Sequence, residues 1–151
     1  DVSQKMIELA TEQFQNESIN YFVCNISELV HKPEKYDGIV AINVLEWTEN
    51  PAEAISNLHT ILNDDGYLCA GILGPTAGPR QNSYPRLRGE EVIFNTMMPW
   101  EFEKLAQELG FSIVDQYGVY KKGVKDEMIT NLSSELKQAL SFMWVFMLKK
   151  V

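Results

Sequence analysis

Cysteine and histidine are scarce. The 151 residues hold two of each, Cys24 and Cys69, His31 and His59. With no C-x-x-C pair and no Cys/His cluster, neither a disulfide framework nor a structural zinc or other metal site is expected. Each cysteine lies inside an apolar run, where it serves as a small hydrophobe. Long apolar runs are missing too. The richest, at residues 141–148, is of strand length, far short of the roughly 20 residues that cross a bilayer as a helix. Positive charge is also in short supply: 13 Lys and Arg stand against 21 Asp and Glu, a net charge of -8. Affinity for nucleic acid rests mainly on Lys and Arg at phosphates, so a general DNA or RNA binder is not expected. Arg80, Arg86 and Arg88 leave room for a local basic patch. No repeat or low-complexity tract is present, and no signal peptide is expected. The chain starts at Asp1 in mid-pattern, and an amino-terminal portion is expected to be missing.

What is present is an alternation of strand and helix signals. Ser3 is an N-cap for a helix whose Met6, Ile7, Leu9, Ala10 and Phe14 repeat at helical spacing. Residues 19–25, "INYFVCN", read as a short buried strand. A polar loop with His31 and Pro33 follows, and then a strand over 36–43. That run is almost continuously apolar, as when both faces of a parallel sheet are covered. Asn50, Pro51 and Glu53 open the next helix as cap, first-turn proline and back-bonding acid. Its core stripe is Ile55, Leu58, Ile61 and Leu62. "NDDG" ends it, and residues 67–73 give a third strand.

Residues 74–98 carry Pro75, Pro79 and Pro85 without a sustained period. A segment this long is functional or disordered; Tyr84, Arg86 and Phe94 favour an ordered lid over the acceptor side. From Pro99, the residues Phe102, Leu105, Ala106 and Leu109 share a helix face, and Gly110 stops it. A strand over 111–120, a helix over 126–139 and a last strand over 141–148 complete the chain. This alternation defines an α/β domain with a largely parallel sheet.

Three features meet at the carboxyl edge of such a sheet. Asp1 stands just before a helix, where a carboxylate accepts both hydroxyls of a ribose and Val2 covers a base; the plain alternative is an acid that complements the helix dipole. Asn25 ends the next strand and offers an amide to a planar heterocycle, or else simply closes a turn. "NVLEW", from Asn43 to Trp47, exits a strand into a helix, the layout of a ligand crevice in an open α/β sheet. Its plain alternative is a loop with one buried tryptophan.

In this order, the segments resemble the class I S-adenosylmethionine-dependent methyltransferases, in particular the small bacterial enzymes called methyltransferase type 11. "DVSQKMIELA" is similar to the segment after that family's second strand and "VCNISEL" to its adenine-binding turn. "YDGIVAINVLEW" is similar to its fourth strand and following loop, "AISNLHTILNDDGYLCAGIL" to the next helix and fifth strand, and "PWEFEKLAQELGFSIVD" to the helix-strand unit beyond. The resemblance implies a Rossmann-like sheet, mostly parallel with an antiparallel last strand and lacking the first strands, so that 1–151 is the carboxyl-terminal part of one methyltransferase domain. It implies S-adenosylmethionine as cofactor. Asp1 would hold the ribose and Val2 pack on the adenine; Asn25 and the Ile26 amide would meet the adenine edge. The Asn43 carbonyl would face the methionine amine, and Leu45 would line the pocket.

Methyl transfer to an acceptor O, N or C is the implied reaction. Glu46 and Tyr84 are the candidate general bases, and Trp47, Tyr84, Arg86 and Trp100 the candidate acceptor walls. The implied partner is a small-molecule methyl acceptor, with a homodimer allowed, no nucleic acid or membrane, and a cytoplasmic location. Two departures stand out: Asn25 replaces the family's usual acid, and the first strand with its Gly-rich loop is absent from this sequence. The chain alone is therefore expected to be inactive. In the family order the first two strands separate the 19–25 strand from the 36–43 strand. The sheet is then expected near Ile39, Leu68, Val114 and Val145, with the Tyr21 strand detached. Two other readings compete: a non-catalytic methyltransferase-like binding subunit, and a nucleotide-dependent oxidoreductase, since an acid after a strand also reads a ribose in dinucleotide folds.

Overall fold

The computed structural model describes residues 1–31 and 34–151; Pro33, expected in the loop after His31, lies outside the described residues. Ser3 opens α1 (Gln4–Gln13) as expected, its Oγ accepting the Met6 amide at 3.3 Å. The apolar stripe of this helix finds no core. α1 buries none of its residues, and Met6, Leu9 and Phe14 are exposed.

Residues 19–25 form no strand, which corrects the sequence expectation. A strand satisfies its backbone only through a partner ladder. Here the Cys24 amide reaches the Asp1 carbonyl instead, at 2.9 Å, and Ile19 and Val23 stay exposed. The segment is nonetheless detached from the sheet, as expected.

The sheet is built from β1 (Tyr36–Ile42), β2 (Leu62–Leu73), β3 (Phe111–Tyr120) and β4 (Ser141–Lys150), in the order β1-β2-β4-β3. β1 pairs β2 in parallel, while β4 runs antiparallel to both β2 and β3. Three strands thus share one direction and the last opposes them. β2 starts earlier than the expected residue 67, directly where α2 (Pro51–Ile61) ends. Asn50 caps α2, its Oδ1 accepting the Glu53 amide at 3.2 Å.

Alternate residues of β2, Leu68, Ala70 and Ile72, join Ile55 and Leu58 of α2 and Phe102 and Ala106 of α3 (Pro99–Glu108) in one core. Phe146 of β4 meets Phe102 there, ring centroids 5.1 Å apart. Each fully buried Leu, Ile or Phe contributes about 1.5–3 kcal/mol relative to exposure. The other sheet face is open, with Val40 74% and Tyr117 71% exposed. The expectation that both faces are covered therefore does not hold for this chain.

Residues 74–98 are ordered around a 3-10 run, Gly78–Arg88, closed by Gly89 in the left-handed region at φ 78°. Gly74 begins the segment where β2 meets β4: a Cβ there would collide with the Ser141 carbonyl. The helix expected over 126–139 divides into α4 (Asp126–Ile129) and α5 (Ser134–Leu140). The break falls where Ser133 caps α5, its Oγ accepting the Leu136 amide at 3.4 Å.

Candidate functional site

At the carboxyl end of β1 the backbone turns sharply. Asn43 adopts φ 55°, a left-handed conformation that Asn tolerates better than most residues. Its amide donates to the Gly71 carbonyl at 3.0 Å, and its Oδ1 accepts the Trp47 indole N–H at 3.3 Å. The turn offsets which residues of "NVLEW" face outward. Val44 is exposed, Trp47 half-buried, and Leu45 and Glu46 completely buried.

A cleft of about 920 Å³ opens beside this turn. Three segments distant in sequence line it: Asp1 and Val2, then Cys24 through Ser27, then Asn43, Val44 and Trp47. Cys24, expected as a buried hydrophobe, is half-buried in its wall. The Cys24–Asp1 backbone bond draws the first two segments together. Asp1 Oδ1 accepts the Ser3 amide at 2.8 Å and Asn25 Oδ1 accepts the Ser27 amide at 3.2 Å. Asn25 thus closes a turn, its plain alternative, while it also lines the cleft. The amino-terminal turn of α2 completes one wall with Asn50, Glu53, Ala54 and Asn57, and Ile93 reaches in from the 74–98 segment.

Two expectations are corrected here. Leu45 does not line the cleft; it is 0% exposed and belongs to the core, and its neighbour Val44 takes the lining position. Glu46 does not face the cleft either. Its Oε1 accepts the Leu73 amide at 2.5 Å, while Oε2 is buried without a hydrogen-bond partner. Burial raises its carboxyl above the ordinary range, opposed by the Leu73 amide, its own backbone N–H and the Arg80 charge. The enclosed carboxyl braces the backbone at Leu73 and lines neither cleft.

Tyr84 and Arg86 lie apart from the first cleft. They line a second, open cleft of about 580 Å³ with Thr76, Arg80, Gln81 and Ser83. Tyr84 is exposed, under the Arg88 guanidinium at 5.7 Å from its ring centroid. Arg86 Nη1 donates to the Ser83 carbonyl at 3.0 Å. Trp100 sits in the first turn of α3 and lines neither cleft. Val44, Asn57 and Ile93 were not identified from sequence. Val44 lay inside the quoted motif, but the offset came from the turn; Ile93 carries no local signal at all.

Residues 1–70 match a family model described as a methyltransferase domain. The curated biotin biosynthesis bifunctional protein BioHC of Teredinibacter turnerae is 25% identical over 119 residues, 76% of this chain and 21% of that protein. The chain thus spans about a fifth of the length of that relative. Among solved structures, the N-methyltransferase NodS of Bradyrhizobium japonicum with S-adenosyl-L-homocysteine superposes with a TM-score of 0.67 at 16% identity, covering 99% of this chain and 64% of that one. Magnesium protoporphyrin IX methyltransferase ChlM of Synechocystis, also with bound S-adenosyl-homocysteine, gives 0.64 at 16% identity, covering 100% and 62%. The fold is therefore the Rossmann-like fold of these methyltransferase structures, and the family match over residues 1–70 agrees with the resemblance read from the sequence there. Among the described residues no helix is long and apolar enough to cross a membrane.

Proposed function

We propose that the larger cleft binds S-adenosylmethionine and that the protein transfers its methyl group to a small-molecule acceptor. One observation carries the reading. Of the six positions given cofactor roles in the sequence, Asp1, Val2, Asn25, Ile26 and Asn43 line one cleft, and only Leu45 does not, although 42 positions of chain separate the first from the last.

The donor set fits the cofactor chemically. Asp1 keeps a carboxylate oxygen beyond the one engaged by Ser3, suited to ribose hydroxyls. Val2, Ile26 and Val44 offer apolar surface to an adenine. The Asn25 side-chain N–H2 remains for a ring nitrogen while its oxygen holds the turn. Asn43 and Trp47 form the remaining wall, where the indole excludes water from the reacting end. When bound, the cofactor supplies a methyl already activated on a sulfonium, so alignment and desolvation can carry the transfer without a strong base. The 74–98 segment, whose Ile93 reaches into the cleft, is the acceptor side in this reading.

Calorimetry with S-adenosyl-homocysteine tests it in the full-length protein. Asp1→Ala removes charge-assisted hydrogen bonds worth about 1.5–3 kcal/mol each, so affinity should fall at least tenfold. Equal affinity in wild type and variant takes Asp1 out of the site; no binding by the wild type overturns the proposal.

A further inference from the structure

A closed circuit of buried hydrogen bonds joins the cofactor-side loop to the 74–98 segment. Arg80, 9% exposed, is its centre. Its Nε donates to the Gly74 carbonyl at 2.8 Å and its Nη2 to the Leu73 carbonyl. On the other side, Nη1 reaches the Thr96 carbonyl at 3.0 Å and Nη2 the Met97 carbonyl at 2.8 Å. Phe94 lies under the guanidinium, 5.6 Å to its centroid, and meets Trp47 edge-on at 4.8 Å.

Asn95 carries the circuit onward. Its Nδ2 donates to the Leu45 and Thr48 carbonyls, both at 2.8 Å, and its backbone amide to the Glu46 carbonyl at 2.9 Å. The Glu46 carboxyl returns to the Leu73 amide and closes the ring. Arg80 spends its planar fork on four carbonyls from two separate stretches of chain. A lysine ammonium has three donors at one point and cannot span them.

We propose that Arg80 is a positioning residue of the transfer site. Through Asn95 and Glu46 it locks the acceptor-side segment to the loop, Asn43 to Thr48, that lines the cofactor cleft, so that the two sides order together. The functional meaning rests on the cofactor reading above; the coupling itself does not. A surface arginine would hold only its own loop. This one fixes the exit of β2, the residues around Met97 and, at one remove, both Trp47 and Val44.

Residue-resolved amide hydrogen exchange tests the coupling in the full-length protein without ligand. In Arg80→Lys and in Asn95→Ala, the Trp47 and Thr48 amides should exchange about tenfold faster, together with Met97, while the Leu68 and Phe146 amides in the sheet stay protected as a control for folding. Acceleration confined to Met97 and its neighbours would overturn the proposal. A second measurement separates positioning from scaffolding. Adding S-adenosyl-homocysteine to the wild type should slow exchange at Asn95 and Met97, outside the cleft, and this transmission should be lost in Arg80→Lys. Binding without any remote slowing in the wild type would reduce Arg80 to a scaffold residue and overturn the positioning role. Absence of binding would instead overturn the cofactor reading, while the ligand-free exchange still decides the coupling.

Discussion

The Glu46 carboxyl and the Leu73 amide, 27 residues apart, meet at 2.5 Å with Glu46 wholly shielded from solvent. A residue placed by its sequence beside a reaction centre is thus part of the frame that holds it. Removing one partner of such a bond leaves a buried group unsatisfied, at about 1–3 kcal/mol, and truncation adds a cavity.

Glu46→Ala should therefore cost about 2–4 kcal/mol in urea unfolding, with Glu46→Gln much milder because its carbonyl can still accept from Leu73. The pH dependence has a definite sign. Burial holds the native carboxyl above its ordinary value of 4.5. As pH rises the unfolded chain ionises first, the native state keeps the extra proton, and stability falls from about pH 4.5 until the raised native value is passed. Glu46→Gln should abolish that part of the slope; an unchanged slope would assign it to other groups.

The offset within "NVLEW" gives a paired test. Leu45→Ala opens a cavity in the core and should cost about 2–5 kcal/mol of stability. Val44→Ala should leave stability within about 1 kcal/mol, as for an exposed side chain, and weaken S-adenosyl-homocysteine binding a few-fold. The reverse pattern, read by urea titration and calorimetry, would mean that Leu45 faces the ligand.

Of the three tryptophans, Trp47 alone lines the larger cleft. Titration of S-adenosyl-homocysteine should change the intrinsic fluorescence, and Trp47→Phe should remove the change. A signal that persists in this variant would place the ligand nearer Trp100 or Trp144.

Gly110 ends α3 at φ 87°, and a Cβ there would come within 2.9 Å of His59 Nε2. Gly110→Ala combines backbone strain with a contact that the half-buried His59 ring, edge-on to Phe111 at 5.1 Å, cannot easily relieve. Thermal unfolding should show a loss of about 1–3 kcal/mol. A neutral result would mean that both the helix end and the ring shift freely.

Local chemistry made much of the framework legible from sequence. Ser3 and Asn50 cap because their oxygens reach an amide in the first turn, whatever surrounds them. The apolar runs around Ile39, Leu68, Val114 and Val145 form strands because each finds a neighbour, and residues 19–25 stay off the sheet, as expected. Whether those residues would be a strand at all was not a local property: a ladder needs a partner, and without one "INYFVCN" stays irregular. At the site, the three segments were identifiable by residue type and order, but the side chains that face the cleft depended on one left-handed residue. Asn43 turns the chain so that Val44 and Trp47 line the cleft while Leu45 and Glu46 turn inward, and Arg80, named in sequence only as part of a basic grouping, becomes a buried clamp only because distant carbonyls at Leu73, Gly74, Thr96 and Met97 converge on it. Sequence determined which elements form; the tertiary structure decided which residues they present, because facing and convergence depend on contacts between segments far apart in the chain.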